Sequence, residues 1–187
     1  SMIVYKEVKT LEGKQIHRNS EPAPDGFYGD SKLQGEIGIR ALADERFKVC
    51  ILRPPMIYGP GCKGNFPRLV WLARKTPFFP AWHNQRSMLY IDNLCEFVKQ
   101  VILHELDGIC FPQNSEYADT VEIIGRKVWI TKFFNPIIRL LGNHVRSLGK
   151  MFSNSTYDME MSKYPFDYQV VSLEDSFAGI QPRNTMK

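Results

Sequence analysis

Tyr28 and Lys32 stand four residues apart in Phe27-Tyr28-Gly29-Asp30-Ser31-Lys32-Leu33. In a helix that spacing puts a phenol and an ammonium on one face, one turn apart. A tyrosine by itself ionises near pH ~10, and a cation within about 4–6 Å favours the phenolate. Such a pair can take a proton from an alcohol and return it. Its position defines what the rest of the chain must do: a helix must carry the pair, and neighbouring segments must bring a substrate to it.

The helix is predicted over residues 28–43, with Leu33, Ile37 and Ala41 at four-residue spacing as its apolar stripe. Ahead of it, Ser1 to Tyr5 reads as the end of a buried strand, and a polar loop runs from there to Gly26. Lys48 to Leu52 is a short apolar run closed by Arg53-Pro54-Pro55, which suits a strand buried on both faces. Further helices are predicted over 66–74 and 91–104. The second has Ile91, Leu94, Cys95, Val98, Val101 and Ile102 at i, i+3, i+4, i+7 spacing as its core face, with Asp92 in the first turn. Gly108 to Phe111 and Val128 to Thr131 read as strands, and Asn135 to Leu141 as a helix with Pro136 near its first position. Residues 157–180 read as turns and a short helix. The alternation of strand and helix signals indicates an α/β fold.

Several motifs recur in a fixed order around the pair. Ser1-Met2-Ile3-Val4-Tyr5 is followed by Pro24, the Tyr28 segment and Glu36, then by Leu52-Arg53-Pro54-Pro55-Met56-Ile57-Tyr58-Gly59-Pro60-Gly61, Asn65, and Arg86 opening Arg-Ser-Met-Leu-Tyr-Ile-Asp-Asn-Leu. In this order the chain resembles the extended short-chain dehydrogenase/reductases, the nucleotide-sugar epimerases and dehydratases. The resemblance is close over residues 1–115 and loose beyond them. It implies the C-terminal part of a Rossmann-like parallel sheet with helices, plus a small α/β substrate-binding region. Residues 1–60 would be a remnant of the dinucleotide-binding domain, and 61–187 mainly the substrate-binding region.

The resemblance also implies roles. Tyr28 is the acid/base, Lys32 keeps the phenol acidic and binds the nicotinamide ribose, and Ser1 hydrogen-bonds the reacting oxygen. Pro54 and Pro55 lie near the nicotinamide of an NAD cofactor, while Asn65 and Arg86 meet the diphosphate of a nucleotide-sugar. The family's glycine-rich strand–turn–helix has no counterpart here. Gly59-Pro60-Gly61-Cys62-Lys63-Gly64 fits G-x-G-x-x-G, but its proline and lysine mark a loop after a strand. The chain is therefore expected to be the C-terminal part of a longer enzyme, inactive by itself, whose full form is a homo-oligomer. Three positions depart from the pattern: Lys6 replaces a glycine, Tyr90 a histidine, and Asn93 the aspartate of many relatives.

Met2 and Ile3 narrow the reaction. Dehydratases of this kind carry Thr-Asp-Glu in the segment, because eliminating water needs an acid and a base beyond the tyrosine. Neither Met2 nor Ile3 can serve. A 4-epimerase needs only the tyrosine and its bound NAD, so epimerisation of a UDP-hexose or UDP-N-acetylhexosamine is the expected activity. The alternatives are a reductase or dehydratase of the same family, or a non-catalytic nucleotide-sugar-binding or interaction module.

Composition bounds the other classes. The 187 residues have 43% hydrophobic content and a net charge of +4, with no run of basic residues, so no nucleic-acid partner is indicated. No apolar stretch reaches ~18 residues, so no membrane span is expected. Cys50, Cys62, Cys95 and Cys110 lack metal-ligand spacing and, three of them lying in apolar runs, read as small core residues of a cytoplasmic protein. His17, His83, His104 and His144 are dispersed and receive no role.

Overall fold

The computed structural model describes residues 2–8, 10–62, 78–121 and 129–178. The expected helix over 66–74 lies outside them. Among the described residues every strand pair is parallel, in keeping with an α/β fold: β1 (Lys14–Ile16) with β8 (Ser155–Tyr157), β2 (Cys50–Leu52) with β6 (Gly108–Cys110), β3 (Met56–Tyr58) with β5 (Met88–Tyr90), and β4 (Phe78–Pro80) with β7 (Trp129–Thr131). Loop hydrogen bonds knit these short pairs together. Ser87 N donates to Ser155 O, Asn114 N to Met88 O, and Arg53 N to Cys110 O.

Among the described residues the α-helices are α1 (Phe27–Arg40), α2 (Ile91–Leu103), α3 (Asn135–Leu141), α4 (Arg146–Phe152) and α5 (Leu173–Ala178). α1 ends near its expected limits, and α3 has the expected bounds, with Pro136 where a missing N–H costs nothing. Among the described residues no helix is long and apolar enough to cross a membrane, and no group of three ligating side chains could hold a metal.

Three expectations are corrected. Met2–Val4 forms a 3-10 turn rather than a strand end: Tyr5 N donates to Met2 O at 3.1 Å, while Val4 and Tyr5 are buried as their apolar character demands. The stripe on α1 is not a core face. Gly29 is its one buried residue, Leu33 is partly buried, and Ile37 remains 55% exposed. On α2 the buried residues are Asn93 and Phe97, flanked by partly buried Leu94 and Val101, whereas Cys95, Val98 and Ile102 face outward. The inward face is rotated because Phe97 fills an aromatic cluster with Tyr164, Phe166 and Tyr168, its ring 4.8 Å from Tyr164 and 4.9 Å from Tyr168. Burying that ring outweighs burying Val98 or Ile102. Cys110 alone of the cysteines is fully buried; Cys50 faces it at 3.7 Å across β2 and β6.

Asn93 explains its own departure from aspartate. Its Nδ2 donates to Val171 O at 2.9 Å, Asn114 Oδ1 at 3.2 Å and Gln169 Oε1 at 3.3 Å, and its Oδ1 accepts from Val171 N at 2.9 Å. An aspartate there would turn a second oxygen on three acceptors. Asn93→Asp is therefore expected to destabilise the fold by roughly 3 kcal/mol, the scale of a buried charge facing like dipoles. Urea denaturation at neutral pH measures it; a loss under about 0.5 kcal/mol would mean the region repacks freely.

Candidate functional site around Tyr28 and Lys32

α1 begins after Gly26, whose carbonyl accepts from Asp30 N, and Asp30 in the first turn suits the positive end of the helix dipole. One turn apart on this helix, Lys32 places its Nζ over the Tyr28 ring, 5.4 Å from the centroid. Tyr28 is 63% exposed and Lys32 is exposed as well. The pair opens to solvent, so a ligand can reach both groups.

Gly29 locks the pair against the start of the chain. A Cβ at this position would lie 2.6 Å from Ile3 O and 2.9 Å from the Pro24 Cβ, so only glycine allows this approach. Beside it, Met2 N donates to Pro54 O at 3.1 Å. Met2 Sδ accepts from Ser155 Oγ at 3.8 Å, and Ser155 bridges to Arg86. The Met2-Ile3 segment thus ties together the Tyr28 helix through Ile3, the Pro54-Pro55 segment between β2 and β3, and the strand beside Arg86. Ser1 and Asn65, the other expected site residues, lie outside the described residues.

Replacing Gly29 tests this close approach. Gly29→Ala gains about 1 kcal/mol of helix propensity but forces an overpacked contact that costs about 1–3 kcal/mol, so a net loss is expected. At Gly35 an added Cβ meets nothing within 4 Å. Gly35→Ala should therefore stabilise by about 0.5–1 kcal/mol. Equal responses of the two variants in urea would show that α1 does not bear on Ile3.

Arg86 has a different environment. Its Nη2 donates to Lys150 O at 2.6 Å and Met151 O at 2.5 Å, and its Nε to Thr120 Oγ1 at 3.1 Å. Burial pulls its pKa down to about 10. Among the described residues no carboxylate pairs with it. Asn84 builds the same corner, donating to Met151 O and Ser153 O and accepting from Thr120 N. A cation held only by neutral acceptors keeps its charge available for an anion.

Sequence reading passed over the roles of Arg53, Glu36 and Tyr5. The Arg53 guanidinium donates to Glu36 Oε2 at 2.6 and 2.9 Å and to the Tyr5 hydroxyl at 2.8 Å, with the two charged side chains only 6% and 11% exposed. Burial works against the arginine's charge, but Glu36 and Tyr5 outweigh it and hold its pKa above the usual value. Burial likewise raises the Tyr5 pKa, with Arg53 opposing, so Tyr5 stays a neutral phenol. The available signal was Glu36 at two four-residue steps beyond Tyr28.

A family model described as the NAD dependent epimerase/dehydratase family matches residues 1–109, more than half of the chain. The chain belongs to that family. UDP-glucose 4-epimerase of Vibrio cholerae is 38% identical to it over 99 residues, which are 51% of this chain and 30% of that protein. Among solved structures, UDP-glucuronic acid 4-epimerase from Bacillus cereus in complex with NAD aligns at a TM-score of 0.61 and 18% identity, covering 96% of this chain and 57% of its own. dTDP-glucose 4,6-dehydratase from Bacillus anthracis, in complex with NAD, aligns at 0.58 and 19%, covering 92% and 58%. These two likenesses establish the fold: this family member shares the Rossmann-like α/β architecture well beyond residue 109. It spans less than two thirds of the length of either relative. Tyr28, Lys32, Pro54, Pro55, Asn65 and Arg86 all fall within the stretch that the family model matches.

Proposed function

We propose that this chain carries the proton-transfer and substrate-binding part of an NAD-dependent nucleotide-sugar 4-epimerase, acting on a UDP-hexose or UDP-N-acetylhexosamine. The observation that carries this reading is Lys32 over the ring of an accessible Tyr28, beside a Met2-Ile3 segment that offers no second acid or base. The nicotinamide end of NAD fits here, because the exposed Lys32 ammonium can donate to ribose hydroxyls while the Pro54-Pro55 turn gives an apolar edge for a ring. Bound there, the dinucleotide supplies the hydride acceptor and donor.

The chain's own part is the proton and the grip. Tyr28 takes the proton from the sugar 4-hydroxyl and returns it when the 4-keto sugar has turned over. Lys32 favours the phenolate while the proton is away. Arg86 offers its uncompensated charge to the diphosphate, which anchors the nucleotide while the sugar rotates. Asn65 and Ser1 are proposed for the diphosphate and the reacting oxygen, respectively.

The test is product analysis with the full natural protein, NAD, and UDP-glucose or UDP-N-acetylglucosamine. UDP-galactose or its N-acetyl counterpart is the expected product. A 4-keto-6-deoxy sugar would mean a dehydratase, net oxidation of the sugar with accumulation of NADH the reverse reaction of a reductase, and binding without turnover a non-catalytic module.

A further inference from the structure

We propose that Glu36, Arg53 and Tyr5 form the device that orients Tyr28 and Lys32, so that Glu36 and Arg53 are positioning residues for the epimerase reading, on which this inference rests. Tyr28, Lys32 and Glu36 are successive four-residue steps along α1. Each step rotates by about 40° around a helix of 3.6 residues per turn, so two steps rotate by about 80°. That rotation carries the stripe from exposed Tyr28 to a Glu36 side chain only 11% exposed. Fixing the azimuth at Glu36 therefore fixes where Tyr28 and Lys32 point.

Among the described residues, the other inward contacts of α1 are few. Its one buried residue is Gly29, whose close approach to Ile3 and Pro24 sets the distance of the helix, and Leu33 is only partly buried. A glycine contact without a side chain gives little hold on the rotation of the helix about its axis. The ion pair has direction: two guanidinium nitrogens meet one carboxylate oxygen, a third nitrogen is held by Tyr5, and the Tyr5 ring lies 5.3 Å from the guanidinium carbon. Arg53 is itself fixed, since its backbone N donates to Cys110 O at 2.9 Å in continuation of the β2–β6 pairing. The next residue is Pro54, whose carbonyl receives Met2 N. One side chain thus sets the helix that carries the acid/base, while its own backbone sets the turn proposed to face the nicotinamide. A buried ion pair adds little net stability over an apolar pair of similar volume, so its contribution here is geometry.

The test separates geometry from stability. In the full natural protein, Glu36→Gln keeps the shape and removes the charge. It is expected to lower kcat by about 10–100-fold with the KM for the UDP-hexose within about 3-fold. The double variant Glu36→Leu/Arg53→Met should match or exceed the wild-type urea midpoint, as buried apolar replacements do, yet keep the low kcat. Arg53→Lys, which keeps the charge but loses the fork, should fall between. Amide hydrogen exchange over residues 27–40 should quicken in both Glu36→Gln and the double variant. Wild-type kcat in the double variant, or unchanged exchange in α1, overturns the inference. Full activity in Tyr28→Phe would instead defeat the epimerase reading, and the exchange measurement would still decide the role of the ion pair.

Discussion

Replacing Tyr28 by phenylalanine is expected to lower turnover by about 10²–10⁴-fold while substrate and cofactor still bind. The substitution removes one hydroxyl and keeps the ring, and the ring makes the described contact with Lys32. Because the side chain is mostly exposed, no core contact is lost, so the fold should be within about 0.5 kcal/mol of the wild type. Binding and rate should therefore separate. Titration of the full natural protein with NAD and with UDP-glucose should give dissociation constants within about 3-fold of the wild type, against a kcat lower by two orders or more. Wild-type turnover in this variant would show that another group moves the proton.

How much of this was legible from the chain depends on the range of each interaction. The Tyr28–Lys32 contact is local, decided by four-residue spacing in a helix, and the structure places the two side chains together as that spacing predicts. α3 and the β2 and β6 strands were equally local, with a proline or an apolar run marking them. β1 was missed because Lys14-Gln15-Ile16 has no strand pattern of its own; it exists because Ser155 to Tyr157, some 140 residues later, pairs with it. β3, β4 and β5 are three-residue strands that also depend on pairing outside their own segment, Met56 with Met88 and Phe78 with Trp129. The same holds within the site. Nothing in Met2 announces that its backbone will meet Pro54 O, and nothing in Arg86 announces that carbonyls of Lys150 and Met151 will cradle it. Asn93 shows the converse: its amide reads as a departure from relatives until the acceptors around it are seen.

Lys32→Ala is expected to be at least as damaging as the tyrosine variant, and its pH dependence tells why. The ammonium lies 5.4 Å from the ring centroid, so its removal takes away the cation nearest the charge that develops when the phenol gives up its proton. The second role proposed for Lys32, its grip on the nicotinamide ribose, would appear as weaker NAD binding. The two parts respond differently to pH. A cation favours the phenolate, so the electrostatic part of the loss is largest at low pH and shrinks as rising pH forms the phenolate without help. The binding part stays. Measuring kcat and the NAD dissociation constant over about pH 6–10 separates them, with Tyr28→Phe as the reference whose deficit has no phenol to recover. A Lys32→Ala deficit that does not change with pH, together with unchanged NAD affinity, would remove Lys32 from both roles.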